Sequence, residues 1–353
     1  MKSIPNKNNL IPSQAYLPAE WHAQSGVQLT WPHAGTDWEH MLHEVEECYL
    51  SLAREIAQRT ILLISSPEIE QVRKLLEKSD INMKNVRLFE CSTNDTWTRD
   101  HGAITMLDGD KPYILDFTFN GWGLKFASCH DNLITRKLCK AKVLNGSYIN
   151  ALSFVLEGGG IESDGEGTLL TTSHCLLSDN RNEEMSKEEI EAYLIKQFNL
   201  KQVLWLDYGY LAGDDTDSHI DTLARLCPKD TIAYVKCNNE QDEHFEELKK
   251  MEKQLQSFKT LEGNPYKLIA LPMADEVIFD MERLPATYAN FLIMDQVVLY
   301  PTYNQPKNDK LAKQALQEAF PNLEIIGIDC SPLIKQHGSL HCVTMQYPVG
   351  VLR

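Results

Sequence analysis

The order in which secondary-structure elements are predicted repeats along the chain, and this repetition constrains the fold more than any other feature. From residue 103 onward, a hairpin, a helix and a closing strand recur four times with a period of about 55–65 residues. Units of this length are typical of radial or stacked architectures. Sequence identity between the units is negligible, so a generic α+β fold remains the alternative. The hairpins are predicted to turn at residues 108–110, 163–167, 228–230 and 295–296.

Helices and strands alternate outside the hairpins as well. Helices are predicted at residues 38–59, 70–78, 133–139, 187–198, 241–258 and 310–320, where apolar residues recur at three- and four-residue steps. Short strands that follow them are predicted at residues 60–66, 86–91, 152–156, 203–206, 267–271 and 324–328. No Pro-, Gly- or Ser-rich linker interrupts this pattern, so residues 1–353 are predicted to form one α/β domain.

Composition excludes several classes of function. The chain has 34 Lys+Arg and 50 Asp+Glu, a net charge of −16 that argues against a nucleic-acid partner. It contains no run of 18 apolar residues and no apolar N-terminal stretch, so neither a membrane span nor a signal peptide is predicted. The 9 cysteines are odd in number, irregularly spaced and free of any C-x-x-C motif. Free thiols in a reducing cytoplasm are the simplest interpretation.

Residues that can carry out chemistry follow the closing strands. Asp100 lies after the strand at 86–91 and Glu157 after the strand at 152–156. His219 and Asp221 come after the strand at 203–206, and Cys342 comes after the last one. In a radial arrangement these loops would meet at one end of the molecule, where binding and catalytic groups are commonly carried.

This set of side chains favours covalent chemistry on a guanidine. A cysteine thiolate is a nucleophile, and a histidine moves protons near neutral pH. Several inward-facing carboxylates repel one another unless a cation lies between them, and a planar guanidinium satisfies two carboxylates by paired hydrogen bonds. A protease built on Cys and His needs at most one carboxylate or amide to orient the His.

Each residue taken alone also has a structural interpretation. Cys342 is compatible with a buried core thiol, and Trp97 with core packing as much as with a substrate wall. His219 and Asp221 are predicted to alternate on an extended segment, which also suits a structural hydrogen-bonded pair. Asp100 follows Arg99, a spacing typical of a surface ion pair.

No cofactor motif is present. Gly158–Gly160 suits a tight turn, but the G-x-G-x-x-G spacing fails at Ser163. His341 and Cys342 are adjacent, and on a strand they would point to opposite faces, which disfavours one shared metal ion. The sequence contains neither H-E-x-x-H nor a Walker A motif.

The ordered motifs together resemble the agmatine deiminase and bacterial (Porphyromonas-type) peptidylarginine deiminase family of guanidino-group modifying enzymes, over nearly the whole chain. The matching segments are Pro18-Ala19-Glu20-Trp21, Thr30-Trp31-Pro32, Trp97-Thr98-Arg99-Asp100-His101-Gly102, Phe119-Asn120-Gly121-Trp122-Gly123, Glu157-Gly158-Gly159, Asp164-Gly165-Glu166-Gly167-Thr168, Asp215-Thr216-Asp217-Ser218-His219-Ile220-Asp221, Ala289-Asn290-Phe291, and His341-Cys342 with Gln346.

The resemblance implies a five-bladed α/β-propeller of pseudo-repeated ββαβ units that hydrolyses agmatine to N-carbamoylputrescine and ammonia, a step towards putrescine. It implies that Cys342 attacks the guanidinium carbon and that His219 protonates the leaving ammonia and then activates water. Asp100 and Asp221 would hold the guanidinium, and Glu157 would support His219 and the cation. Trp97 and Asn290 are carried over as substrate-binding residues, Asn290 on the weaker match. Neither a metal nor an organic cofactor is implied.

Departures from the family pattern put substrate choice in doubt. Gly338-Ser339-Leu340 replaces the usual G-G-N, Ser218 replaces a common Gly, and Gly160-Ile161-Glu162 follows Glu157-Gly158-Gly159. Peptidylarginine deiminase, free-arginine deiminase and amidinotransferase therefore remain alternatives within the enzyme class. A non-catalytic guanidine- or polyamine-binding protein is the alternative outside it, and a homo-oligomer is plausible for an enzyme of this size.

Overall fold

Five β-sheets share one pairing pattern in the computed structural model, which describes residues 11–353. In each of these sheets an antiparallel pair is followed by a parallel strand. Four of the sheets have three strands: Ile104–Asp108, Lys111–Thr118 and Ser147–Val155; Ile161–Ser163, Thr168–Thr172 and Gln202–Leu206; Ala224–Cys227, Thr231–Lys236 and Lys267–Pro272; Leu292–Ile293, Val297–Thr302 and Glu324–Asp329. The predicted repeat of hairpin, helix and strand is therefore confirmed at the level of strand pairing.

The fifth sheet joins the two ends of the chain. Its strand order is Thr344–Pro348, Gln24–Thr30, Ile61–Ser66 and Val86–Glu90, so the last strand of the chain pairs antiparallel with the first. The two terminal strands were not among the predicted elements. Their pairing brings the segment that carries Cys342 next to the N-terminal unit. The N-terminal stretch for which no signal peptide is predicted lies partly outside the described residues.

Helices connect the strands of each unit. The longer helices are Leu42–Arg59, Ile69–Lys78, Ile134–Lys140, Lys187–Phe198, Phe245–Leu255 and Pro306–Ala319, and single-turn helices lie at Thr98–His101, Ser173–Leu176 and Ser331–Ile334. Gly121–Leu124 is a left-handed turn, because all four residues have positive φ. Local sequence sets the ends: Ser186 and Glu189 form a capping box before Lys187, and Asn199 ends that helix at φ 54°. Pro306 occupies a first-turn position, where its missing N–H costs nothing.

Several predicted boundaries were wrong. The charged helix predicted at 241–258 spans only Phe245–Leu255, and the strand predicted at 152–156 begins earlier, at Ser147. The first strand of the last hairpin, predicted at 289–294, is reduced to Leu292–Ile293. A short hairpin of Ile278–Phe279 and Glu282–Arg283 was not predicted. Among the described helices, none has both the length and the apolar character that a membrane crossing requires.

Candidate active site

Three polar side chains converge on a point in front of Gly159. A β-carbon placed on this glycine would lie 2.6 Å from Nδ1 of His219, 2.8 Å from Oδ1 of Asp100 and 3.1 Å from Oδ2 of Asp221. Gly159 lies in the one-turn 3₁₀ helix Gly158–Gly160, directly after Glu157. The absence of a side chain at this position lets a histidine and two carboxylates meet around one small space, in which a methyl group would clash. We call this space the catalytic chamber.

Asp100 is fixed in the chamber by two donors. Its Oδ1 accepts a hydrogen bond of 3.0 Å from the backbone N–H of Gly159, and its Oδ2 accepts one of 3.0 Å from Nε1 of Trp122. The pKa of this carboxyl is raised to about 6, mainly by burial. The charge of His219 opposes this rise, and the nearby Asp221 and Glu157 add to it. The alternative interpretation, that Asp100 and Arg99 form a surface ion pair, is wrong, because both residues are buried.

His219 lies between two carboxylates. Its Nε2 is 3.2 Å from Glu157 and its Nδ1 is 3.6 Å from Asp100, and Nδ1 has no hydrogen-bond partner among residues 11–353. Burial lowers the pKa of the imidazole, but the opposing effects of Asp100, Cys175 and Glu157 leave it well above its usual value. A protonated His219 is therefore favoured in the chamber, as general-acid chemistry requires.

Asp221 contacts His341, the residue that precedes Cys342. Its Oδ2 lies 2.7 Å from Nδ1 of His341, while its Oδ1 is buried and has no partner within the described chain. Burial raises the pKa of Asp221, and the hydrogen bond and charge of His341 outweigh burial and keep it below its usual value. His219 and Asp221 were predicted on an extended segment, but Ile220–Thr222 is a 3₁₀ turn. Both side chains nevertheless reach the chamber.

Cys342 borders the same space. Burial raises the pKa of its thiol well above the usual value, Asp221 and Asp100 raise it further, and His219 lowers it. Its Sγ is 3.4 Å from Oδ1 of Asn290, which also accepts a 2.8 Å hydrogen bond from the backbone N–H of His341. Residues 341 and 342 lie in a turn, and not on the strand that was assumed when their side chains were assigned to opposite faces.

Asn290 and Trp97, the two predicted substrate-binding residues, occupy different positions. Asn290 is fully buried beneath the cysteine, and its Nδ2 is 3.4 Å from the backbone oxygen of Asp221. Trp97 lines a cavity of about 430 Å³ that reaches Asp100 and Cys342. Its ring packs over Gly338, where a β-carbon would lie only 2.1 Å from a ring carbon.

The mouth of this cavity is acidic. Asp37, Asp95, Asp214, Asp215 and Glu282 line it, together with His337. None of the residues that line it within the described chain is Lys or Arg. Burial and the adjacent Asp214 raise the pKa of Asp215 to about 6, against the lowering effects of His337 and Lys125. Beyond the chamber, therefore, the cavity favours a second positive charge.

Sequence reasoning missed two residues that contact the predicted site. Trp122 donates to Asp100, although it was noticed only as part of a family segment. Arg181 contacts both oxygens of Glu157, at 2.9 and 3.1 Å from its Nε, and was not singled out at all. The only signal available for Arg181 was a single basic residue in an acidic loop.

Two groups of ligand-type atoms lie close enough together to suggest metal binding: Glu157, Cys175 and His219, and Glu20, Glu162 and His341. In both groups an arginine already neutralises the carboxylates. Nε of Arg181 is 2.9 Å from Glu157, and Nη2 of Arg225 is 2.7 Å from Glu20. A guanidinium at these distances would repel a metal cation. Neither group supports a metal site.

Comparison with known proteins gives consistent matches along nearly the whole chain. The profile of the Porphyromonas-type peptidyl-arginine deiminase family matches residues 16–348. A protein of Legionella pneumophila (strain Paris), provisionally named an agmatine deiminase, is 32% identical over 346 residues, covering 96% of this chain and 98% of that protein.

Solved structures agree with the sequence matches. A Porphyromonas gingivalis protein provisionally named an arginine deiminase is 49% identical, with a TM-score of 0.91, covering 96% of this chain and 100% of that one. A cysteine-to-serine variant of the C. jejuni agmatine deiminase with substrate bound is 38% identical, with a TM-score of 0.89, and each chain is covered in full.

Proposed function

The chain belongs to the Porphyromonas-type peptidyl-arginine deiminase family, and from this premise we propose that it is an agmatine deiminase. It hydrolyses the guanidinium of agmatine, giving N-carbamoylputrescine and ammonia and thereby supplying putrescine synthesis. We also propose that its five repeated sheets form one domain, a five-bladed α/β-propeller. Its free cysteines support a cytoplasmic location.

The observation that carries this proposal is the charge of the catalytic chamber. Asp100, Glu157 and Asp221 are all at least 96% buried, and within the described part of the chain only Glu157 has an arginine partner. Two buried polar atoms of residues that border the chamber, Nδ1 of His219 and Oδ1 of Asp221, lack partners within residues 11–353. A flat cation with several N–H donors would satisfy both carboxylates and offset their repulsion.

The reaction follows from these positions in two half-reactions. Sulfur of Cys342 forms a bond to the guanidinium carbon, a C–N bond breaks, and ammonia leaves with a proton from His219. Water, deprotonated by the now neutral His219, then adds to the same carbon, and the C–S bond breaks. The proton balance closes when Cys342 and His219 return to their starting forms.

The bound substrate helps to form the nucleophile. Burial and the carboxylates of Asp221 and Asp100 raise the pKa of Cys342, so the free chamber disfavours a thiolate. A guanidinium placed against these carboxylates offsets part of the negative charge that raises the pKa of Cys342. The thiolate is therefore favoured when a cationic substrate is bound, and a neutral analogue should not activate it.

The acidic mouth of the cavity distinguishes agmatine from arginine. Agmatine carries an ammonium at the end away from its guanidinium, which suits Asp214, Asp215 and Glu282. The α-carboxylate of arginine would meet the same acids with no Lys or Arg among the described lining residues to pair with it. We therefore expect strong discrimination against free arginine.

A substrate panel tests the proposal. Purified protein is supplied with agmatine, free arginine and a peptide containing arginine, and ammonia and ureido products are measured. We expect a kcat/KM for agmatine about 100-fold or more above that for arginine, because like charges in the mouth cost several kcal/mol. Equal or faster turnover of arginine or of the peptide would overturn the agmatine assignment. Binding of agmatine without turnover would support a non-catalytic binding protein instead.

A further inference from the structure

Arg181 lies behind the catalytic chamber, and each of its side-chain nitrogens contacts an acceptor. Its side chain is fully buried. Nε donates to both oxygens of Glu157, Nη1 contacts Ser178 and Asp217, and Nη2 donates to the backbone oxygen of Thr216 at 2.9 Å. It is not among the residues that line the 430 Å³ cavity. Arg181 is therefore not placed to bind substrate directly.

The residues held by Arg181 lead directly into His219. Asp217 and Ser218 both have positive φ, 65° and 61°, a conformation that costs free energy in residues other than glycine. The backbone N–H of His219 donates to Oγ1 of Thr216 at 3.1 Å. Arg181 thus holds two groups. One is the strained segment that carries His219, and the other is the carboxylate of Glu157, which contacts the ring of His219.

We propose that Arg181 is a positioning residue for the reaction, which sets the orientation and the ionised state of Glu157 and through it keeps His219 protonated. The inference rests on the proposed function, since His219 is assigned there as the general acid. A guanidinium suits this task better than an ammonium, because its donors are fixed in one plane. Nε holds both oxygens of Glu157 while Nη1 and Nη2 hold the segment before His219.

The charges around His219 determine what loss of Arg181 does. Asp100, Asp221, Glu157 and the thiols of Cys175 and Cys342 face the imidazole. Burial raises the pKa of Glu157, and the charge of Arg181 contributes to holding it below its usual value. Arg181→Gln removes that charge, and Arg181→Lys keeps a charge but loses the Nε hydrogen bonds, which also lower the pKa of Glu157. In either variant the pKa of Glu157 rises and its support of the imidazolium weakens. The pKa of His219 then falls, so activity is lost at lower pH on the alkaline side.

Lys125 provides a matched control. It contacts the other oxygen of Asp217 at 2.8 Å and the backbone oxygen of Asp215 at 2.7 Å, from the exposed side of the same loop. Lys125→Met therefore removes a cation from the His219 segment but leaves the contacts of Glu157 intact. If Arg181 had only a structural role, substitution of Arg181 and substitution of Lys125 should have the same kind of effect on the pH profile.

The experiment compares pH profiles of kcat and KM for agmatine in wild type, Arg181→Lys and Lys125→Met. Arg181→Lys should lower kcat by about 10- to 100-fold with KM changed less than about threefold, and move the alkaline limb down by about one pH unit. The same results are expected of Arg181→Gln, which covers a failure of Arg181→Lys to fold. Lys125→Met should keep the wild-type limb. An unshifted limb in both Arg181 variants, or an equal shift in Lys125→Met, would overturn the proposal.

A double-substitution cycle separates action through Glu157 from action elsewhere. In a Glu157→Gln background, Arg181→Lys should lower kcat by less than about threefold, because the interaction is already absent. A full additional loss would overturn the assignment. If wild type turns over no agmatine, the proposed function fails, and alkylation of Cys342 by cationic 2-chloroacetamidine still tests Arg181. Its pH dependence should shift in Arg181→Lys and not in Lys125→Met, and an unshifted dependence would count against the inference.

Discussion

Two clusters of buried acids lie side by side in this molecule, and they differ in how their charge is balanced. In the first, which we call the structural cluster, Arg225 lies between Glu20 and Glu162, and its nitrogens also reach the carbonyl oxygens of Ala289 and Phe291. In the second, the catalytic chamber, Asp100 and Asp221 both lie beside Gly159, and neither has an arginine partner among residues 11–353. His341 joins the two clusters, since its ring nitrogens contact Asp221 and Glu20.

Because of this difference, the structural cluster is expected to matter for stability and the catalytic chamber for function. Each carboxylate oxygen of Glu20 and Glu162 has a donor, so these charges are satisfied within the protein. Charges buried with complete partners contribute little net stability, but removal of one partner is costly. The chamber retains surplus acid, and the charge that would balance it is the substrate's. Substitutions in the two clusters should therefore fail in different ways.

The largest effect is expected from filling the chamber itself. Gly159→Ala places a methyl group within about 3.1 Å of His219, Asp100 and Asp221, so it forces apart the side chains that would hold the guanidinium. We expect kcat/KM for agmatine to fall by about 1000-fold or more, since the substrate can no longer reach its reacting geometry. Gly160→Ala is the control, because its β-carbon would meet only Sγ of Cys175, at 3.1 Å. Comparable losses in both variants would remove Gly159 from the substrate site.

Asp100→Asn should produce the next largest loss. Removal of one charge-assisted contact in a desolvated pocket costs roughly 2–5 kcal/mol of transition-state binding. The effect of Asp100→Asn on stability should be opposite to its effect on activity. The folded pKa of about 6 lies above the ordinary 3.8, so wild type loses stability as pH rises between these values, and the variant should not. Kinetics and thermal melts at pH 4 and pH 7 check both. A near-native kcat/KM would exclude Asp100 from the site.

Arg225→Met should reverse this pattern. It leaves Glu20 and Glu162 buried without their cation, at a cost of roughly 3–5 kcal/mol in the free energy of unfolding. Arg59→Met is the matched control, because the pair of Arg59 with Glu55 is partly exposed and should contribute less than about 1 kcal/mol. Urea unfolding measures both values. Equal and small losses would contradict the structural role of Arg225.

A smaller effect is expected in the alkylation of Cys342. At neutral pH, the rate of alkylation by cationic 2-chloroacetamidine is divided by the rate with neutral 2-chloroacetamide. This ratio should be about tenfold higher for Cys342 than for free cysteine. The reason is that the raised pKa of Cys342 disfavours the thiolate until a cation enters. Mass spectrometry of the Cys342 peptide over time gives both rates. The same preference as free cysteine would argue against an acid-controlled chamber.

Much of the fold could be predicted from local sequence patterns, but the pairing of the first strand with the last could not. The helix at Lys187–Phe198 was predicted to the residue, and in the structure a capping box marks its start. Pairing of Gln24–Thr30 with Thr344–Pro348 joins residues more than 300 positions apart, and neither strand carries a local signal of its partner. Contacts at such separation follow from the assembled sheets and not from neighbouring residues.

The predicted catalytic residues could be named because each side chain has its own chemistry, but their supports could not. Arg181, Arg225 and Glu162 are ordinary charged residues in sequence, and only burial reveals that they must be paired. Ser218 shows a further limit. Its φ of 61° explains why glycine is common at this position, although the residue type alone suggests no strain.

The most direct test of the central claim is to trap the intermediate. Wild-type protein is mixed with agmatine, quenched in acid within milliseconds to seconds, and digested for mass spectrometry. The account predicts a Cys342 peptide heavier by the mass of agmatine less ammonia, absent in Cys342→Ser and decaying as N-carbamoylputrescine forms. Turnover of agmatine with an unmodified Cys342 at every time point, or sustained activity of Cys342→Ser, would contradict it.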